Sequence, residues 1–286
     1  MNLQSKIEYS IALLRKCEQM ALDYDPENGF SLAFSGGKDS QTLYHLAVMA
    51  GVKFKAHMNL TSIDPPEVIR FVKRNYSDVE LIKPKMSIYD MTKKKHVLPT
   101  KIIRWCCAEY KESSGAGKVT LIGIRKQESV KRSKRNEFET GRKGKATFSG
   151  TFDQWSDHKE TMVTCVGGKD QILLSPIINW TERDVWEFLN SNNISHCKLY
   201  DEGYNRIGCI LCPMSSYKTK IKDIQRFPHV KRKWIKVIQW LIDNGYAPEK
   251  IKESGAEFSF NWWLSSKSFD QYYADEVLQQ KIEFNV

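Results

Sequence analysis

The chain has 286 residues, enough for one large domain or two, and a sequence that is 41% hydrophobic and 12% aromatic is not that of a disordered protein. It contains no run of the ~20 apolar residues that a membrane span requires, so we expect no membrane partner. The formal net charge of +10 suits a polyanionic partner such as nucleic acid, although a solvated basic surface would have the same composition.

The first predicted element is a helix at the N-terminus, where apolar residues recur at helical spacing over residues 1–16. This segment lacks the apolar core and the small-residue cleavage site of a signal peptide, and we therefore expect a cytoplasmic protein. Residues 1–25 are assigned to this helical region.

A glycine-rich turn follows the next element, an apolar strand predicted over residues 30–34. The turn reads Ser35-Gly36-Gly37-Lys38-Asp39-Ser40. A helix is predicted directly after it, and the three elements together form a cradle for phosphate, because backbone N–H groups and the positive end of the helix dipole point inward. Lys38 adds a mobile cation. The spacing of a Walker A loop is missing, and an ordinary glycine turn is the alternative interpretation.

The chain then continues as an alternation of predicted strands and helices. These are a strand over residues 53–59, a helix over 65–75, a strand over 79–82, a helix around Cys106 and Cys107, and a strand over 119–124. Such alternation is typical of a parallel sheet with helices on both faces, whose ligands bind at the carboxyl ends of the strands. The glycine turn would lie at that edge.

A basic segment begins where the last of these strands ends. It contains Gly123, Arg125, Glu128 and Arg132. At the carboxyl end of a strand, the two arginines are placed to bind phosphate or sulfate oxygens through forked hydrogen bonds. A basic loop without a ligand is the alternative.

Four of the seven cysteines form two pairs, the adjacent Cys106 and Cys107 and the CxxC of Cys209 and Cys212. In a cytoplasmic chain, paired cysteines favour a metal centre over disulfides. Four thiolates can hold a zinc ion or an iron–sulfur cluster, and neighbouring thiolates reach two irons of a cluster more easily than one zinc. A [4Fe-4S] cluster is therefore favoured, with zinc or free thiols as alternatives. Cys197 is a candidate for a reactive thiol.

The remaining predicted elements carry few candidate ligands or catalytic residues. Periodicity fades between residues 136 and 168, and we expect a mobile loop over the site there. A strand end and a helix capped by Thr181 follow. From residue 215 onward the sequence is helical and basic, and the tryptophans there, Trp234, Trp240, Trp262 and Trp263, are expected to pack a helical cap.

These motifs together resemble those of one superfamily. The turn at residues 35–40 is similar to the PP-loop, SGGxDS, of ATP pyrophosphatases and sulfonucleotide reductases, and residues 123–132 resemble its GxRxxES…R signature. Residues 174–186 and 199–209 are similar to the PLxxWTxxDVW and LYDxGYxRIGC segments of the reductases. The CC…CxxC pattern resembles the ligand set of cluster-containing adenylyl sulfate reductases and of sulfur-activating proteins of DNA phosphorothioation. The resemblance to the phosphoadenosine phosphosulfate (PAPS) reductase family covers residues 31–212.

The resemblance implies a fold and a site. The fold is α/β, a doubly wound, mostly parallel sheet of the adenine nucleotide alpha hydrolase-like class over residues 26–212, with a basic helical region over 213–286. The implied metal ligands of a [4Fe-4S] cluster are the four paired cysteines, and Asp39 is the carboxylate implied for Mg²⁺. The catalytic residues would be Lys38, Asp39 and Arg125. The nucleotide would be bound by Ser35, Gly36, Gly37, Lys38, Asp39, Ser40, Gly123, Arg125, Glu128, Arg132 and Arg206.

Three functions are compatible with these motifs. In the first, the protein is an ATP pyrophosphatase that adenylates a substrate, such as nucleic acid, for sulfur transfer from a donor protein. In the second, it is a divergent reductase of PAPS or adenosine phosphosulfate (APS). The resemblance to these reductases stops before the C-terminal tail that carries their catalytic cysteine, because no cysteine follows Cys212 here. Cys197 would have to replace that cysteine. In the third, it binds nucleotide or nucleic acid without catalysis.

Overall fold

The computed structural model describes residues 2–111, 115–142, 145–157, 171–265 and 267–284. The strands are β1 (Phe30–Ala33), β2 (Phe54–Asn59), β3 (Glu80–Ile82), β4 (Val119–Leu121), β5 (Phe138–Arg142), β6 (Lys145–Gly150) and β7 (Gln171–Leu174). The helices are α1 (Leu3–Tyr24), α2 (Lys38–Ala50), α3 (Pro66–Asn75), α4 (Ile88–Lys95), α5 (Trp105–Tyr110), α6 (Val130–Ser133), α7 (Phe152–Ser156), α8 (Glu182–Ser191), α9 (Tyr217–Arg226), α10 (Pro228–Asp243), α11 (Glu249–Ser265) and α12 (Phe269–Phe284).

These elements divide into two compact units that interleave along the chain. Unit 1 comprises Met1–Asn59, Pro66–Ile82 and Glu112–Ile207, and unit 2 comprises Leu60–Pro65, Lys83–Lys111 and Gly208–Val286. The predicted domains, 26–212 and 213–286, are each one continuous stretch. The division by packing differs because two excursions, which leave the sheet after β2 and after β3, belong with the C-terminal helices. All four paired cysteines therefore lie in unit 2.

Unit 1 is built on a sheet in the order β3-β2-β1-β4-β7-β5-β6. The first five of these strands are parallel, and β5 runs antiparallel to β7 and to β6. The central strands carry buried apolar side chains such as Phe30, Leu32 and Leu121, as expected for strands covered on both faces. The predicted α/β fold with a mostly parallel sheet is confirmed.

The strand order places two loops together. From β1 the chain winds outward through β2 and β3, and it then returns to the other side of β1 with β4. The edge between β1 and β4 is thus the switch point of the sheet, where loops from neighbouring strands diverge and leave a crevice. The turn at residues 35–40 follows β1 and the basic segment follows β4, so both border this crevice.

The segment predicted to be a mobile loop over residues 136–168 is structured in its first half, and the prediction is wrong there. β5 and β6 form an antiparallel hairpin that extends the sheet beyond β7. Phe138 is fully buried, and its ring lies 5.4 Å from that of Phe152 and 5.0 Å from that of Trp155. The strands are short and rich in Gly, Thr and Lys, which obscured their period of two. Residues 143–144 and 158–168 of the predicted loop lie outside the described residues.

Unit 2 is helical, as the sequence predicts for its C-terminal part. α10 begins at Pro228, and its buried face carries Trp234, which contacts Trp263 of α11 at 5.1 Å between ring centroids. Both tryptophans belong to one core cluster with residues of the two excursions, among them Ile63 and Tyr110. The packing role predicted for these two tryptophans is confirmed. Within the described part of the chain, no helix is long and apolar enough to cross a membrane.

We expect Phe138→Ala to lower the free energy of unfolding by about 3–5 kcal/mol, because it leaves a cavity beside the rings of Phe152 and Trp155. Val130→Ala is the matched control, since the Val130 side chain is 80% exposed and its loss should change stability little. Urea unfolding followed by tryptophan fluorescence measures both. Equal midpoints for the two variants would mean that the hairpin is not packed on the sheet.

Candidate functional site

The turn after β1 has the backbone shape of an anion cradle. Gly36 has φ +70°, in the left-handed region that favours glycine, and a Cβ atom there would lie 2.9 Å from methyl groups of both Val68 and Val72 of α3. Gly37 is the N-cap of α2 and has no side chain to cap the first turn. The N–H groups at the start of α2 are therefore open to an external acceptor, apart from the one at Lys38.

Two serines and a tyrosine hold the turn in place. Ser40 Oγ donates to the Gly37 carbonyl at 2.9 Å and accepts from the Ser35 N–H at 3.2 Å. The Gly37 N–H donates to Ser35 Oγ at 3.4 Å. The Lys38 N–H donates to the hydroxyl of Tyr200 at 2.9 Å. Burial raises the pKa of Tyr200, so this hydroxyl stays neutral. The serines, which were predicted as phosphate ligands, use their hydroxyls here to shape the loop.

The Lys38 side chain is buried beside the turn, with only 4% of the residue exposed. Its Nζ donates to the Asn205 carbonyl at 3.0 Å and lies 3.3 Å from a Glu182 carboxylate oxygen and 3.7 Å from an oxygen of Asp39. A buried ammonium needs such partners, because its desolvation is costly. Lys38 is thus a fixed cation at the N-terminus of α2.

A second buried cation reaches the same place from β4. Arg125 is 3% exposed, and its Nε donates to Asp39 Oδ1 at 2.5 Å. β4 can approach α2 this closely because residue 123 is glycine; a Cβ there would lie 2.9 Å from the Asp39 carbonyl oxygen. Asp39 therefore joins the two cations, Lys38 and Arg125, at the switch point of the sheet.

The other side chains predicted to bind the nucleotide are Glu128, Arg132 and Arg206, and they have different partners. The Glu128 carboxylate accepts from the Arg125 N–H at 2.9 Å and also pairs with Arg132. Glu128 thus orients the turn that carries Arg125, and Arg132 is engaged by an acid in the same turn. Arg206 is exposed, and its charge acts on Tyr200 and tends to lower the pKa of that hydroxyl. Their roles in binding a nucleotide stay predictions.

Several site residues were missed by sequence reasoning. Tyr200 and Asn205 belong to the LYDxGYxRIGC-like segment, in which the sequence motifs indicate only Arg206 as a ligand. Glu182 stands at the first position of α8, where an acid is explained by the helix dipole and gives no functional signal. Gln127 links the two segments, since its side-chain oxygen accepts from the Glu182 N–H at 2.7 Å and from Arg125 at 3.3 Å.

Asp39, the carboxylate predicted to bind Mg²⁺, already has two cationic neighbours. Asp39 is held by Arg125 and lies near Lys38, so it is arranged to neutralise cations. Mg²⁺ in nucleotide sites is commonly held by one or two carboxylates together with phosphate oxygens. Asp39 fits that role only if a phosphate takes over one of its cationic partners, and its metal role stays a prediction.

The four paired cysteines come together in unit 2. Cys106 and Cys107 occupy the first turn of α5, and a tight turn closes the CxxC, with the Cys212 N–H donating to the Cys209 carbonyl at 3.2 Å. The charges of Cys209 and Cys212 both act on Cys106, and the charge of Cys107 acts on Cys212. All four thiols are free, and each is partly accessible.

Basic groups lie beside these thiols, and the thiols respond differently: the pKa of Cys107 is lowered, whereas burial raises the pKa of Cys212. A hydrogen bond from Cys106 and the neighbouring Arg104 guanidinium lower the pKa of Cys107 to about 5, and the same hydrogen bond raises the pKa of Cys106. The Arg104 guanidinium donates to Cys107 Sγ at 3.3 Å. Lys111 has a raised pKa because the Cys209 side chain lies beside it. Such an electropositive surrounding suits thiolate ligands of a metal centre.

The arrangement is not that of a single closed metal site. Among the described residues, no group of three or more His, Cys, Asp or Glu side chains is positioned to hold one metal ion. A tetrahedral zinc requires its four ligands to converge on one point, whereas a [4Fe-4S] cluster takes one thiolate at each of four separate irons. The [4Fe-4S] cluster and the alternative of zinc therefore both stay predictions.

The remaining cysteines of the described chain are covered. Cys197 is 1% exposed and Cys17 is fully buried, and burial raises the pKa of both thiols. A thiol that is protonated and covered is a poor nucleophile. The structure therefore gives no support to Cys197 as a reactive thiol. Cys165 lies outside the described residues.

The fold and the loop define an α/β protein of the PP-loop class. Residues 29–215 match the phosphoadenosine phosphosulfate reductase domain. This match covers more than half of the chain, and the chain belongs to that family. The resemblance predicted from the sequence motifs is confirmed.

The chain is also similar to individual proteins. An uncharacterized protein of Methanocaldococcus jannaschii is 26% identical over 251 residues, which are 85% of this chain and 54% of that protein. An adenosine 5'-phosphosulfate reductase of Oceanobacillus iheyensis is 49% identical over 41 residues, 14% of this chain and 17% of that enzyme. The solved tRNA thiolase NcsA from Methanococcus maripaludis, with its [4Fe-4S] cluster, aligns over 93% of this chain and 82% of its own, with 13% identity and a TM-score of 0.39. The chain spans about half the length of the first curated relatives that it matches.

We expect Glu182→Gln to bind ATP about two- to fivefold more tightly than the unaltered protein, because a half-exposed carboxylate no longer competes with phosphate for Lys38. Glu187→Gln on the same helix is the matched control, since the two side chains are 53% and 52% exposed and only Glu182 contacts Lys38. Isothermal titration calorimetry measures both. Weaker binding by Glu182→Gln would show instead that this carboxylate helps to hold the ligand.

Proposed function

We propose that the PP-loop at residues 35–40 binds the phosphates of ATP and that the protein adenylates an acceptor for sulfur transfer. The observation that carries this proposal is the pair of buried cations, Lys38 and Arg125, at the N-terminus of α2. Both point to one place at the switch point of a parallel sheet, where such folds bind nucleotides. Glu182 is a half-exposed counter-ion there, and a phosphate can replace it at Lys38.

Charge stabilisation would be the main contribution of these residues to the reaction. An oxygen of the acceptor forms a bond to the α-phosphorus, the bond to the bridging oxygen breaks, and pyrophosphate leaves with the electron pair. A sulfur nucleophile then adds to the activated carbon, and AMP departs with the acceptor oxygen. Negative charge grows on phosphate oxygens in the first step, and preorganised cations and N–H groups stabilise such charge. Mg²⁺ bound to the phosphates would add to this effect.

The burial of Cys197 removes one candidate nucleophile for sulfonucleotide reduction. A reductase of the PAPS or APS type needs a thiolate that attacks sulfur, and Cys197 was the candidate outside the paired cysteines. At 1% exposure and with a raised pKa, that thiol is not prepared to attack. Membership of the PAPS reductase domain family keeps reduction as the second candidate. Nucleotide or nucleic-acid binding without catalysis is the third.

We further propose that Cys106, Cys107, Cys209 and Cys212 hold a [4Fe-4S] cluster. Their mutual influence and the nearby Arg104 and Lys111 support it, because these cations would offset the negative charge of a thiolate-ligated cluster. When bound, the cluster would supply a site for sulfide or for electrons. The sulfur itself would come from a donor protein, and the net charge of +10 makes nucleic acid the acceptor that we favour.

Pyrophosphate release from ATP and Mg²⁺ tests the proposed reaction, with anaerobically purified protein and with RNA or DNA added in parallel. We expect release that depends on one nucleic acid and falls by roughly 10²–10³ in Lys38→Ala, because one cation at the phosphates is lost. Lys16→Ala, which removes an exposed lysine, is the control and should keep full activity. Conversion of APS or PAPS to sulfite without pyrophosphate release from ATP would instead identify a reductase.

Iron content and visible absorbance test the cluster. We expect Cys209→Ser to lose both, because serine is a poor ligand for cluster iron, whereas Cys197→Ser should keep both, since that residue lies outside the thiol set. Stoichiometric zinc with no iron in the anaerobically purified protein would contradict the assignment.

A further inference from the structure

The positive charge of the chain is concentrated in unit 2. Unit 1 has 24 Lys and Arg residues against 22 Asp and Glu, a net +2, whereas unit 2 has 20 against 12, a net +8. The nucleotide site proposed above lies in unit 1. The cations of unit 2 therefore need a different explanation, either a solvated basic surface or a polyanionic partner.

Part of this charge lines a cleft between α4 and α10. The cleft has a volume of about 420 Å³, and its lining includes Ser87, Tyr89, Asp90, Lys93, Lys233 and Lys236. Asp90 is the acid of this group, and its carboxylate is engaged by the Ser87 hydroxyl at 2.6 Å at the start of α4. In the described part of the chain, the lysines of α4 and α10 that form ion pairs are Lys95 and Lys231, so Lys93, Lys233 and Lys236 offer three cations to an external anion.

Aromatic rings lie beside these lysines. Lys233 Nζ lies 5.5 Å from the centre of the Tyr89 ring, and Lys93 Nζ lies 5.4 Å from that of Trp240. Trp240 begins a stack of three rings, with Tyr246 at 5.6 Å and then His96 at 3.5 Å from Tyr246. His96 and Tyr246 are exposed. Lys93 lines the cleft and also lies over the Trp240 ring, so the basic cleft continues into the aromatic stack.

We propose that this surface, the α4–α10 cleft with the stack of Trp240, Tyr246 and His96, binds single-stranded nucleic acid. Lysines without acidic partners neutralise phosphates, and exposed flat rings stack on unpaired bases, which a duplex does not present. A small anion or an acidic peptide would use the lysines and leave the rings without a role. Binding of single-stranded nucleic acid by this surface does not depend on the proposed function. A role for the surface in presenting the acceptor does depend on it.

Fluorescence anisotropy with labelled RNA and DNA oligonucleotides, single-stranded and duplex, tests the surface at several salt concentrations. We expect Lys233→Ala/Lys236→Ala to bind single strands about tenfold more weakly, with the slope of log K against log salt reduced by ~1.5. Lys250→Ala/Lys252→Ala is the control with the same change of charge; these lysines are paired with Asp270 and Glu249, and binding should stay the same. His96→Ala should weaken binding of single strands and not that of duplexes.

Equal losses in the two lysine variants would overturn the proposal, because net charge alone would then explain binding. Equal affinity for polyglutamate and for an oligonucleotide would overturn it too, in favour of an acidic protein partner. Titration of the same variants with ATP separates this proposal from the proposed function. Oligonucleotide binding that depends on Lys233 and Lys236, without pyrophosphate release, would uphold the surface and reject adenylation; the reverse result would reject the surface alone.

Discussion

The pairing of buried charges at Asp39 is the constraint on which the rest of unit 1 depends. Lys38 and Arg125 are almost fully covered, and a buried cation without a partner would cost several kcal/mol. Asp39 lies 2.5 Å from one and 3.7 Å from the other. Because Asp39 lies in the first turn of α2 and Arg125 follows β4, this pairing holds the helix start against the strand. The PP-loop at residues 35–40, which leads into the start of α2, is fixed as a result.

The two units carry different chemistry but use the same electrostatic rule. In unit 1, acids surround two fixed cations, and the more exposed acid, Glu182, is the one that an anionic substrate can displace. In unit 2, Arg104 and Lys111 lie beside the paired thiols, and a hydrogen bond from Cys106 together with the Arg104 guanidinium lowers the pKa of Cys107 to about 5. In each unit, oppositely charged groups are thus brought together at the proposed site before any ligand binds.

Much of the fold was predictable because its signals are local. The helix predicted over residues 65–75 is α3, Pro66–Asn75, and the strand predicted over 53–59 is β2, Phe54–Asn59. The hairpin β5–β6 was missed because its strands are short and polar on one side, and its place in the sheet comes from pairing with β7, which is distant in sequence. The interleaving of the units was missed for a related reason, since packing and not chain order decides which segments share a core.

The sequence by itself determined the glycine turn, the two cysteine pairs, the alternation of strands and helices and the family, because each is a pattern of neighbouring residues. Only the tertiary structure decided that Tyr200, which is 162 residues away from Lys38, accepts its N–H, that Arg125 pairs with Asp39, and that both cysteine pairs belong to unit 2. Residue spacing carries no information on such distances. They follow from the order of strands in the sheet and from the need to pair every buried charge.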